Sequence, residues 1–124
     1  MKILCLCNHG SVRSVCLAQQ FKNKGHEAIS VGLAPESIFD KDAWKGFSDE
    51  SIEYFANWAD VIIDMSDIYN GAVSPRLEKF EDKVHKLFVG KDIWGNSQHP
   101  QLIEICWAYV KEFNKQLKVK SGDR

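Results

Sequence analysis

The sequence predicts a single α/β domain, a four-stranded parallel sheet with helices on both faces. Three observations carry that prediction. Short apolar runs alternate four times with segments of helical spacing. The runs are apolar nearly throughout rather than at every second position, as strands buried on both sides are. No repeat or low-complexity stretch interrupts the order. At 124 residues the chain is long enough for one hydrophobic core. That core is expected to span residues 1–118, with 119–124 as a disordered tail.

KILCLC at 2–7 is the first strand: one lysine, then continuous apolar content ending at a polar, glycine-containing turn. Residues 12–24 read as a helix, with Val15, Leu17, Ala18 and Phe21 near one face and Lys22, Lys24 and Gly25 at its end. EAISVGL at 27–33 is a second strand that stops before Pro35. Residues 34–48, with Pro35, Phe39, Trp44 and Gly46, show no periodicity, and a loop of that length in a small domain is usually functional. A helix follows near 48–58, with capping chemistry from Ser48, Glu50 and Ser51 and an apolar face of Ile52, Phe55 and Ala56. DVIIDM at 60–65 is the third strand. Residues 67–80 are partly helical, split by Gly71 and Pro75, with Asp67 as the expected cap. KVHKLFV at 83–89 is the fourth strand. After the polar loop 90–100 comes a last helix at 100–118, its apolar residues at three- and four-residue spacing from Leu102 to Leu117.

Apolar residues make up 44% of the chain and charged residues 27%, an ordinary globular balance. A net charge of -1 makes no electrostatic case for nucleic acid or membrane as partner. No apolar run reaches the roughly 18–20 residues of a membrane span, and no signal-peptide pattern follows Met1. The expected location is the cytoplasm, where thiols stay reduced. Three of the four cysteines, Cys5, Cys7 and Cys16, crowd into the first sixteen residues and Cys106 stands alone, unlike a spaced disulfide framework.

Cys7 ends the first strand, and Arg13-Ser14 opens the helix six residues later. In a parallel α/β sheet this is where ligands bind, beyond the carboxyl ends of the strands. A loop of Asn8, His9, Gly10, Ser11 and Val12 can curl so that backbone N–H groups converge on an anion, helped by the helix N-terminus. Gly10 is the residue that adopts a left-handed conformation at no steric cost. Arg13 can hold two oxygens of a phosphate in bidentate fashion. The same positive surroundings favour the thiolate of Cys7, and Ser14 can donate a hydrogen bond to it. No other cysteine of the chain has an arginine at this spacing. Inorganic phosphate, sulfate or vanadate is the expected occupant.

This loop resembles the phosphate-binding loop of the low-molecular-weight protein tyrosine phosphatases, which also lies near the N-terminus. The likeness covers most of the chain. SVGLAPES is similar to the family's second strand and following loop, WADVIIDMS to its third strand and turn, and KDIWGNSQHPQLIEIC to its acid loop and last helix. It is nearest to a short bacterial and phage-type branch of predicted tyrosine phosphatases. The resemblance implies hydrolysis of a phosphorylated protein or small aryl phosphate through a cysteinyl-phosphate, without cofactor or metal. It departs from the family at Val12, where a second loop cysteine is usual, and at Val15, where proline is usual. Cys5 and Cys16 are the remaining thiols that could take the missing cysteine's redox role.

Breaking a phosphate ester requires a proton for the leaving oxygen and then activation of water. Asp92 is the one acidic residue between Gly90 and Pro100, and the resemblance places the family's general acid in this loop, although Asp-Pro there is here Asp92-Ile93. Trp94 and, from the long loop, Trp44 are candidate walls for an aromatic substrate. His99 before Pro100 reads as a helix start, and His26 and His85 as positions without a role. Asp64 is a candidate for tuning the site. Four alternatives remain open: a pseudophosphatase that only holds phosphorylated partners, an arsenate reductase on the same scaffold, a metal or redox site on the alternating Cys5, Cys7 and His9 with Cys16, and a different substrate, since the scaffold also resembles phosphatases that act on phosphoserine in a polymerase tail.

Overall fold

In a computed structural model of the protein, residues 1–7, 12–32, 49–66, 75–89, 94 and 96–120 are described. Strand β1 (Lys2–Cys7) lies inside a four-stranded sheet, between β2 (Glu27–Gly32) and β3 (Val61–Asp64), and β4 (Val84–Lys86) pairs with the far side of β3. All three pairings are parallel. The order β2-β1-β3-β4 places a switch point between β1 and β3, because the chain leaves β1 toward one side and crosses to the other for its third strand. The fold class predicted from the alternating apolar runs is therefore observed.

The uninterrupted apolar character of β1 has a direct structural reason. Ile3, Cys5 and Cys7 point to one face and pack with Cys16, Leu17, Ala18 and Phe21 of helix α1 (Arg13–Asn23) and with Leu102, Cys106 and Val110 of helix α3 (Pro100–Lys120). Leu4 and Leu6 point to the other, against Ile52 and Ala56 of helix α2 (Asp49–Trp58) and Leu77 and Phe80 of a 3-10 segment (Pro75–Lys83) that kinks at Phe80. Each residue from Ile3 to Leu6 is inaccessible to solvent, and each such side chain contributes about 1.5–3 kcal/mol of hydrophobic stabilisation. A strand sandwiched this way has no solvent face for a polar residue.

Local signals explain where the elements stop. α1 ends in a Schellman motif: the His26 N–H bonds to Phe21 O at 3.1 Å and the Gly25 N–H to Lys22 O at 3.0 Å, with Gly25 at φ 89°. α3 starts at Pro100, and His99 caps it: His99 Nδ1 accepts from the Gln101 N–H at 3.2 Å and its carbonyl from the Ile103 N–H at 3.0 Å. β4 is shorter than the 83–89 run predicted, since Leu87 and Val89 turn in to the core while Phe88 is exposed. α3 runs two residues beyond the predicted 118. His26 corrects the reading of a position without a role. Its Nε2–H donates to Asn114 Oδ1 at 2.7 Å, and its ring meets Phe21 and Phe113 edge-on, tying the end of α1 to α3. Among the described residues no helix is long and apolar enough to cross a membrane.

Candidate active site

Cys7 is the last residue of β1, paired in register with Gly32 at the end of β2. The pleat turns its side chain to the face shared by α1 and α3, and it is 2% exposed. Val12, half-buried against the same core, precedes α1 without a side-chain cap, and the first turn of the helix carries no acidic residue. The N–H groups of that turn lie at the positive end of the helix dipole, which favours an anion there. Arg13 is the first residue of α1 and is 1% exposed. A guanidinium stays charged at any physiological pH, and burying one is costly unless negative charge is brought to it.

Ser14 follows at the next step of the helix and is fully buried. Its Oγ lies 3.1 Å from Cys7 Sγ and 2.6 Å from Ser30 Oγ. Three groups from three elements therefore form a row: thiol at the end of β1, hydroxyl in the first turn of α1, hydroxyl in β2. Ser30 was not among the residues singled out in the sequence. Its signal was weak, a serine at an interior position of an apolar strand, whose register opposite Cys5 faces it to α1. The row is suited to holding the Ser14 hydroxyl toward sulfur, since Ser30 occupies its second hydrogen-bonding direction.

The remaining thiols lie beneath this site. Cys5 is on the same face of β1 as Cys7, and burial, reinforced by the nearby Cys7, pushes its thiol far above the ordinary range. Cys106 faces Cys16 across the α1–α3 contact, and that interaction together with burial raises its thiol as well. All four cysteines remain thiols. Cys16 is thus turned to α3. Among the described residues no three His, Cys, Asp or Glu side chains assemble into a metal site.

Of the other residues singled out in the sequence, Trp94 is half-buried, packed against the α1–α3 side of the core with its ring 5.1 Å from that of His99. Asn8, His9, Gly10, Ser11, Trp44 and Asp92 lie outside the described residues, as do Phe39 and Asp67.

Comparison with solved structures shows what this arrangement is similar to. The YwlE arginine phosphatase from Geobacillus stearothermophilus superposes with a TM-score of 0.68 at 17% identity, over 99% of this chain and 96% of that one. The chain has the low-molecular-weight tyrosine phosphatase fold. A cysteine-to-serine variant of YwlE with its active-site serine phosphorylated shares this fold at a TM-score of 0.61 and 18% identity, over 93% of this chain and 97% of that one. So does the thioredoxin-dependent arsenate reductase of Corynebacterium glutamicum, at 0.59 and 17% identity, over 96% of this chain but 62% of that one. No family model and no curated protein sequence matches the chain. At these identities the likeness is one of backbone. In this fold the carboxyl end of β1, where Cys7 stands, is the switch point that α/β sheets use for ligands.

Proposed function

We propose that the protein is a metal-independent cysteine phosphatase of the low-molecular-weight tyrosine phosphatase family, acting on phosphorylated side chains of proteins. The observation that carries this reading is the Cys7–Ser14–Ser30 row at the switch point, with Arg13 buried one residue before Ser14. Cys7 Sγ attacks phosphorus in line with the leaving oxygen; the S–P bond forms as the P–O bond breaks, and Asp92 gives its proton to that oxygen. Arg13 and the N–H groups of residues 8–13 hold the three equatorial oxygens, where charge spreads in the transition state. In the second step water attacks phosphorus, Asp92 takes its proton, and Cys7 leaves as thiolate with Ser14 Oγ donating to the sulfur. The phosphorylated serine of the YwlE variant supports capture of the phosphoryl group at this position of the fold.

Phosphotyrosine is the substrate we assign, from the resemblance of the loops and the candidate aromatic walls Trp94 and Trp44. Phosphoarginine is the second reading, favoured by the full-length likeness to YwlE. Arsenate reduction is the weaker use of the scaffold here, because Cys106 is fully buried in the α1–α3 core rather than placed for a relay to a reductase. A thiolate nucleophile fits a reducing compartment, the cytoplasm. The test is turnover of p-nitrophenyl phosphate between about pH 5 and 7 with EDTA. Loss of turnover with Cys7→Ser and its reduction with Asp92→Asn are the expected results. A parent that binds vanadate without turnover makes the chain a phosphate-binding module. Peptides carrying phosphotyrosine or phosphoarginine then decide the substrate.

A further inference from the structure

The carboxyl end of β3 holds an ion pair with a buried carboxylate that the chemistry above does not use. Asp64, the last residue of β3, is inaccessible to solvent and pairs in register with Leu6, one residue before Cys7. Its Oδ2 accepts from Lys86 Nζ at 3.1 Å, its Oδ1 from the Ser66 N–H at 2.9 Å, and its carbonyl from the Leu87 N–H at 3.0 Å. Lys86 Nζ donates also to Ser66 O at 3.0 Å, and its side chain is 25% exposed. The next residue along, Met65, donates its N–H to Leu6 O at 2.7 Å. One carboxylate and one ammonium thus bind the exits of β3 and β4 to each other, directly beside the exit of β1.

The neighbouring positions of β3, Val61, Ile62 and Ile63, show what the strand asks for: an apolar residue. A buried ion pair is a poor source of stability compared with apolar side chains of the same volume, and what it can supply is geometry. The corner also retains the buried hydroxyl of Ser66, which has no hydrogen-bond partner among the described residues although both backbone groups of that residue are held. Packing alone gives no reason for either feature. Residues 87–89 lead from this clamp to the segment that carries Asp92.

Resting on the phosphatase reading above, we infer that Asp64 and Lys86 are positioning residues, fixing the exits of β3 and β4 against the end of β1 so that Cys7 meets a bound phosphoryl group at reacting distance. The decisive variant is the apolar double replacement Asp64→Leu/Lys86→Met, which removes both charges without stranding either. It is expected to keep the parent's Tm within a few degrees and to lower kcat on p-nitrophenyl phosphate roughly 10–100-fold, since small misplacements of reacting groups cost that much. KM should move by less than about threefold. A parental kcat overturns the inference, and so does a loss of kcat matched by a fall in Tm. Should the double variant fail to fold, Asp64→Asn, which keeps an acceptor for the Ser66 N–H, is judged by the same kcat, KM and Tm. If the parent has no turnover the phosphatase reading falls, and the variants are then compared by vanadate affinity. A tenfold loss there sustains the inference, and equal affinity overturns it. A parent that neither turns over nor binds vanadate overturns both.

Discussion

Ser30→Ala is the most revealing single perturbation of the site, because it leaves the nucleophile and its first partner intact. Ser30 Oγ lies 2.6 Å from Ser14 Oγ, which lies 3.1 Å from Cys7 Sγ. A neutral hydrogen bond of this kind contributes about 1 kcal/mol, whereas one made to an ionised group contributes about 1.5–3 kcal/mol. Losing Ser14 therefore removes a bond to the departing or attacking thiolate and should lower kcat/KM on p-nitrophenyl phosphate by about 10–100-fold. Losing Ser30 only releases the Ser14 hydroxyl to rotate, with a cost of about fivefold. The two effects share one route, so Ser14→Ala/Ser30→Ala should be no slower than Ser14→Ala alone. That is a double-mutant cycle with the coupling equal to the whole Ser30 term. A double variant slowed by the product of the two single losses, or a Ser30→Ala variant at parental rate, refutes the row as a catalytic device.

Arg13→Lys should lose roughly 100-fold or more in kcat, since an ammonium does not present the planar pair of donors that holds two phosphate oxygens; steady-state kinetics with parental Tm checks it. Phe21→Ala, which empties a fully buried position contacted edge-on by Tyr109, Phe113 and His26, should cost about 3–5 kcal/mol in urea unfolding. Alkaline pH should destabilise the fold. Burial keeps the Cys5 thiol protonated. The unfolded chain releases this proton above about pH 8.5, so there it binds fewer protons than the folded chain and stability falls as pH rises, by about 1.4 kcal/mol per pH unit. Cys5→Ala should flatten that slope in unfolding experiments between about pH 7 and 10, and an unchanged slope would show that the thiol is not held protonated.

Much of the architecture was legible before any coordinates. A strand covered on both faces must be apolar at successive positions, which is why KILCLC and DVIIDM could be recognised, and a helix on such a sheet must repeat at three and four residues. Gly25 and His99-Pro100 announced helix boundaries through backbone conformation and a missing N–H, both properties of the residue itself. Cys7, Arg13 and Ser14 were legible for the same reason: the reach of a six-residue step from a strand end to a helix start is a local constraint. β4 was read too long because its continuation through Leu87 and Val89 is as apolar as a strand, although those residues serve the core after the pairing has ended.

Long-range partners left no comparable trace. Ser30 is separated from Ser14 by sixteen residues, and only the parallel register of β2 on β1 brings the two hydroxyls together. His26 looked like a surface histidine until α3 supplied Asn114 and Phe113. Asp64 stood out as a candidate for tuning the site, but nothing along the chain pointed to Lys86 as its partner; sheet order made them neighbours at the switch point. Cys16 and Cys106 meet only because α1 and α3 pack on the same face. By itself the sequence determined the class of the fold, its strand and helix order and the placing of Cys7 at a strand end just before the helix that opens with Arg13 and Ser14, because periodicity, turn chemistry and short loops act within a few residues along the chain. The tertiary structure decided which groups surround Cys7, because hydrogen bonds and charges act through space, over distances that only the packed chain defines.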